Sequence, residues 1–175
     1  MKEIIKKDLY RHYGKKESFV QRLFRKPEIK YTVALRRAHN SKNPLRHFRL
    51  RYLSHKTGIQ IPARTQIGEG FYVGHFGRVV INPDCVIGKN VNIAAGATLG
   101  KENRGARKGS PKIGDSVWIG TNAVVVGNIT VGNDVLIAPL AYVNFNVPDH
   151  SIVIGNPAKI VKRENATESY IENRV

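Results

Sequence analysis

Two hydrophobic rhythms divide this chain, and one gives way to the other near Gly58. Before that point, apolar residues recur at helical spacing: Ile4, Ile5 and Leu9, then Phe19, Val20, Leu23 and Phe24, then Val33 and Ala34, then Leu45, Phe48, Leu50, Tyr52 and Leu53. Gly14, Pro27 and Pro44 interrupt the pattern, which predicts three or four short amphipathic helices. Beyond Gly58 an aliphatic residue returns every six positions, at Ile61, Ile67, Val73, then Ile81, Ile87, Ile93, Leu99, then Ile113, Ile119, Val125, Val131, Ile137 and Val143. The next residue is Gly or Ala at nine of these thirteen positions, as expected of a chain that turns tightly after each short strand. A helix does not keep period six with so much glycine, and a sandwich strand alternates. The repeat therefore predicts an all-β solenoid of hexapeptide repeats, three short strands to a coil, around a column of stacked aliphatics.

The period breaks twice, and each break leaves residues that the coil cannot hold. From Val73 to Ile81 the step is eight, with the surplus in His75-Phe76-Gly77-Arg78. From Leu99 to Ile113 it is fourteen, which extrudes a loop over 101–112 that carries five basic residues. Solenoids place binding sites on such insertions. The predicted organisation is a basic α-helical segment over 1–57, a solenoid domain over 58–163 and a C-terminal tail over 164–175.

Charge separates the same two regions. Of 29 Lys and Arg against 13 Asp and Glu in 175 residues, residues 1–58 hold 17 and 4. Basic helices of this kind suit a nucleic acid, an anionic membrane surface or an acidic polymer, and a merely solvated face fits as well. No nucleic-acid motif is present, so a nucleic-acid partner is not expected. No apolar run approaches the roughly 18 residues of a spanning helix, and the first residues lack the apolar core of a secretory signal, so the expected compartment is the cytoplasm. The lone Cys85 excludes an internal disulfide framework and sits at an inward repeat position, as a small buried hydrophobe. No metal site is expected, since only His75 and His150 lie in the solenoid. Without a GxxxxGK loop, ATP chemistry is not suggested.

The stretches Gly58-Ile59-Gln60-Ile61, Ile67-Gly68-Glu69-Gly70, Gly74-His75-Phe76-Gly77-Arg78-Val79-Val80-Ile81, Lys112-Ile113-Gly114-Asp115-Ser116-Val117-Trp118-Ile119-Gly120 and Gly155-Asn156-Pro157-Ala158-Lys159 resemble the hexapeptide-repeat acyltransferases. The branch they look like includes serine acetyltransferases and bacterial polysaccharide O-acetyltransferases. The resemblance implies a left-handed parallel β-helix, a homotrimer, and acetyl-CoA as cosubstrate bound between subunits. It also implies that His75 is the catalytic base. Acyl transfer from a thioester needs such a base, because a hydroxyl is a poor nucleophile at neutral pH.

For the cofactor, the resemblance places Trp118 along the pantetheine arm, Gly120, Thr121 and Ala138 at turns that face it, and Lys159, Lys162 and Arg163 near the nucleotide phosphates. The acceptor is less well matched. Serine acetyltransferases have an aspartate where this chain has Gln60, another where it has Gly74, and an Arg-His pair where it has Gly109-Ser110. A sugar hydroxyl needs only neutral hydrogen bonds and an aromatic platform, for which Gln60, Asn82, Asn92, Phe71, Tyr72 and Phe76 are the candidates. The expectation is thus an acetyl-CoA-dependent O-acetyltransferase acting on a sugar of a bacterial surface polysaccharide or its precursor, held by residues 1–57 at the anionic inner face of the membrane. The alternatives are a serine O-acetyltransferase with a different amino-acid pocket, and a noncatalytic β-helix binding module.

Overall fold

The computed structural model describes residues 2–175. Four helices occupy the first region: α1 (Lys2–Tyr13), α2 (Phe19–Leu23), α3 (Pro27–Ala38) and α4 (Pro44–Thr57). Their limits follow from local chemistry. Ser18 and Gln21 close a capping box at the start of α2, and proline takes a first-turn position in α3 and α4, where its missing N–H costs nothing. Gly58 ends α4 in the left-handed conformation (φ 75°), which a side chain would disfavour.

The solenoid begins at once. Its first coil carries β1 (Ile59–Gln60), β2 (Gln66–Ile67) and β3 (Tyr72–Val73), and the second β4 (Val79–Ile81), β5 (Val86–Ile87) and β6 (Asn92–Ile93). Then come β7 (Thr98–Gly100), β8 (Lys112–Ile113) and β9 (Val117–Ile119), followed by β10 (Val124–Val126), β11 (Thr130–Val131) and β12 (Val135–Ile137). A last coil holds β13 (Tyr142–Val143) and β14 (Ser151–Ile154), against which β15 (Lys159–Lys162) folds back antiparallel. Through β13 every third strand pairs in parallel, and β14 then joins β12, giving three sheets along the axis, in the orders β1-β4-β7-β10-β13, β11-β8-β5-β2 and β15-β14-β12-β9-β6-β3.

Of the thirteen periodic aliphatics only Ile67 is not fully buried, and it still packs on the core. The residue two positions earlier also points inward, because side chains alternate along a strand. That rule corrects one expectation. Phe71, offered as an aromatic platform for substrate, is 1% exposed and fills the core beneath β3. Cys85 is buried by the same rule, and burial pushes its thiol up to about 12, which removes it as a nucleophile.

Polar ties hold the helices to the coil. Asp8 of α1 accepts from Arg36 Nε (2.7 Å) and Nη2 (3.1 Å) and from the Phe71 N–H (3.0 Å), while Arg36 also donates to the Ile67 carbonyl (2.6 Å). Tyr31 donates to the Ile61 carbonyl at 3.1 Å and accepts from its N–H at 2.9 Å. The tail returns along the β3-β6-β9-β12 face, with Thr167 buried. Burial alone would raise the Asp134 pKa, but hydrogen bonds from Thr167, His150 and Ala166 outweigh it and hold it at about 2. Among the described residues no helix is long and apolar enough to cross a membrane.

Candidate active site

The two-residue surplus after β3 becomes a corner between two sheets, and His75 projects from it. The corner is fixed at both ends: the Gly74 N–H donates to the Ile93 carbonyl (3.2 Å) and the Gly77 N–H to the Thr57 carbonyl (2.8 Å). His75 lines a cavity of about 410 Å³ with the outward-facing Tyr72, Asn92 and Trp118, which stand in register on β3, β6 and β9, and with Thr121.

The walls of that cavity come from outside the repeat. Arg11 and His12 of α1 close one side, and Tyr170, Glu172 and Asn173 of the tail close another. The Arg11 guanidinium lies 5.6 Å from the centroid of the Tyr72 ring and donates to Asn92 Oδ1 and to the Gly70 carbonyl. Burial lowers its pKa to about 10, which leaves it fully charged at neutral pH. His12 stacks on Tyr72 with centroids 4.2 Å apart, and burial, with help from Arg11 and Lys26, lowers its pKa to about 4. The imidazole is therefore neutral. Repeat periodicity gave no hint of Arg11, His12, Tyr170 or Glu172, because none of them belongs to the repeat.

Trp118 stands between two spaces. The Tyr170 ring meets it edge-on with centroids 5.0 Å apart, and both aromatics also line a second groove of about 650 Å³. Leu136, Ala138, Pro139, Ile152 and Ile154 give that groove an apolar floor, and Arg163 stands among its lining residues. Asn165, Glu168 and Ser169 also line it, and a groove with an apolar floor and a cation fits an acyl-pantetheine arm that ends in phosphates. Trp118, Ala138 and Arg163, three of the seven cofactor candidates, meet in this groove, while Thr121 lines the His75 cavity. Gly120 takes another part. A Cβ there would lie 2.6 Å from the Pro139 nitrogen, so its glycine serves the close stacking of coils. Lys159 and Lys162 are exposed on β15, outside both linings.

The acceptor candidates scatter. Tyr72 lines the His75 cavity, and Phe76, 60% exposed, is the next residue along the corner. Asn92 is buried and committed, since its oxygen accepts from Arg11 and its Nδ2 donates to the Tyr170 carbonyl (3.1 Å). Asn82 caps the next corner, accepting from the Asp84 N–H (3.0 Å) and from Ser110 Oγ (3.1 Å). Gln60 lines a separate groove against α4, with Ser54 and His55. Neither Asn82 nor Gln60 lines the cavity of His75. Of the remaining histidines, His39 and His47 bond backbone carbonyls, and His150 sits beside Asp134 and Glu164. No group of three metal-ligating side chains occurs among the described residues.

Comparison with known proteins bears on the family and the fold. A bacterial transferase hexapeptide model, of six repeats, matches residues 64–101 and 110–144. The serine acetyltransferase of Staphylococcus xylosus is 43% identical over 108 residues, which are 62% of this chain and 50% of that protein. Serine acetyltransferase 2 of Arabidopsis thaliana is 38% identical over 110 residues, 34% of its length. The chain thus spans half or less of the length of these two relatives. Among solved structures, the Neisseria gonorrhoeae serine acetyltransferase in complex with serine superposes with a TM-score of 0.73 at 31% identity, covering 91% of this chain and 66% of that one. The Brucella abortus enzyme in complex with coenzyme A gives 0.77 at 25% identity, covering 93% and 66%.

Proposed function

Because this chain belongs to the hexapeptide-repeat transferases, we propose that it is an acetyl-CoA-dependent O-acetyltransferase with His75 as general base and L-serine as acceptor. One observation carries the reading: His75, a cation (Arg11) and a carboxylate (Glu172) line a single cavity that shares Trp118 with an apolar groove. A serine zwitterion needs an anion for its ammonium and a cation for its carboxylate. Glu172 of the tail offers the anion in place of the acids missing at Gln60 and Gly74, and Arg11 of α1, whose Nη1 is not engaged by Gly70 or Asn92, offers the cation in place of the Arg-His pair missing at Gly109-Ser110.

The cosubstrate would supply a thioester carbonyl, with its arm along Trp118, Leu136 and Ala138 and its phosphates near Arg163. His75 takes the proton of the acceptor hydroxyl as that oxygen bonds to the acetyl carbon, and returns it to the departing sulfur as the carbon–sulfur bond breaks. No covalent intermediate on the protein is needed, and Cys85 is too buried to form one. A homotrimer, as the family resemblance implies, would bring a second subunit against these faces.

A second reading is favoured by a specific observation. The acids that serine acetyltransferases place at the positions of Gln60 and Gly74 are absent here, and Tyr72 and Phe76 stand beside His75, which suits a sugar hydroxyl of a surface glycan. The relatives weigh towards serine. Free-thiol release from acetyl-CoA, measured with L-serine and in parallel with a panel of neutral and N-acetylated sugars, separates the two. Serine-dependent release supports the proposal; release with sugars alone transfers it to the glycan reading, and release with neither acceptor overturns it.

A further inference from the structure

The helical segment leaves an unusual surface uncovered. In and beside α2, Phe19, Val20, Leu23 and Phe24 are 80%, 63%, 62% and 75% exposed, four large apolar side chains within six residues. Burying them inside the molecule would have been favourable, yet α2 contributes no buried residue at all. Exposed cations surround them: Lys15 and Lys16 precede the helix, Arg22 lies within it and Lys26 follows. The only acid between Leu9 and Pro27 is Glu17, and it is already held by Arg25 through two hydrogen bonds of 2.5 Å. The charge of the patch is therefore uncompensated. On α4, Phe48 and Tyr52 are exposed as well. Burial first, and then the charges of Arg49, Arg25, Arg22 and Arg46, lower the pKa of Arg37 on α3.

We propose that α2 forms a docking surface for an anionic lipid bilayer, with Phe19 and Phe24 entering the acyl boundary and the surrounding Lys and Arg meeting the headgroups. A soluble polyanion would use the cations but leave the aromatic side chains without a partner. A second copy meeting this one face to face across a two-fold axis would set like charges against each other, and a heterologous contact, as in a trimer, is read out by sedimentation mass. Apolar side chains inside a basic collar match the two layers of a membrane surface, headgroup outside and hydrocarbon within. The surface is distinct from the His75 cavity, so binding is measured independently of catalysis.

The test is co-sedimentation of the full-length protein with vesicles of phosphatidylcholine alone and of phosphatidylcholine with an equimolar share of phosphatidylglycerol, at low and high salt. The expected result is binding to the anionic vesicles only, weakened by salt. The Phe19→Ser/Phe24→Ser double variant, with unchanged circular dichroism and sedimentation mass, is expected to partition at least about tenfold more weakly. A Phe24→Trp variant checks insertion directly, its added emission shifting to the blue on anionic vesicles. Absence of binding to anionic vesicles overturns the proposal. So does binding that the serine variant leaves unchanged, or a change in sedimentation mass caused by that variant, which would make the face a protein interface.

Discussion

The solenoid and the helical segment solve the same problem in opposite ways. In the solenoid the aliphatic column is sealed, so that Val73, Leu99, Ile119 and Val143 have no accessible surface. In the helical segment, α3 and α4 lend Tyr31, Leu35, Leu50 and Leu53 to the solenoid's core and Leu9, Ile29 and Val33 form a small cluster beside the Asp8–Arg36 tie, while Phe19, Phe24, Leu45 and Phe48 remain in solvent. A repeat writes its fold into its period, because each coil meets the same neighbours. A short helical cap has no period to enforce burial, and its surface is free to serve another purpose. The candidate cavity at His75 lies where the two regions meet, which is why neither builds it alone.

The largest expected effect falls on the junction. Replacing His75 by Ala should lower acceptor-dependent turnover by about 10²–10⁴-fold with the melting temperature unchanged, as checked by initial rates and thermal unfolding. Next comes the tie that anchors α1. Asp8→Ala leaves a buried guanidinium unpaired and should cost about 3–5 kcal/mol in denaturant unfolding, and it should impair activity through Arg11 even though Asp8 lines no cavity. The contrast between the regions is sharpened by a pair of truncations. Leu99→Ala should destabilise by about 2–5 kcal/mol, and Phe48→Ala by no more than roughly 0.5 kcal/mol; equal losses would contradict the picture of a sealed coil beside an open helical face.

Smaller changes probe the cavity walls. Glu172→Gln should raise the KM for L-serine about tenfold while leaving that for acetyl-CoA unaltered, a split seen in steady-state kinetics. The pH dependence has a definite sign. Burial holds the His12 pKa at about 4 against an ordinary value of 6.5, so the unfolded chain binds the proton more readily. Its contribution to stability is present at neutral pH and is lost as pH falls from 6.5 through 4. In His12→Phe, the slope of stability against pH should flatten across that window.

Much of this was legible in the residues. The period of six located the core, and the surplus at His75-Phe76-Gly77-Arg78 marked the corner that holds the imidazole. Trp118 on a strand of the right face followed from the same register. Phe71 has the chemistry of a platform but stands two positions before Val73, a place that points it inward. Asn82, Asn92 and Gln60 have the right chemistry for an acceptor, yet Asn82 is engaged at a corner, Asn92 by Arg11 and the tail, and Gln60 faces a groove beside α4. Arg11 and Glu172 reach the cavity only through tertiary packing of segments that begin 64 positions before His75 and end 97 after it. No spacing rule links such distant residues.

The most direct test of the account is free-thiol release from acetyl-CoA in the presence of L-serine, compared between the parent protein and His75→Ala at equal folded concentration. The account predicts serine-dependent release by the parent and a loss of about two orders of magnitude or more in the variant. Undiminished release by a folded His75→Ala protein would contradict it.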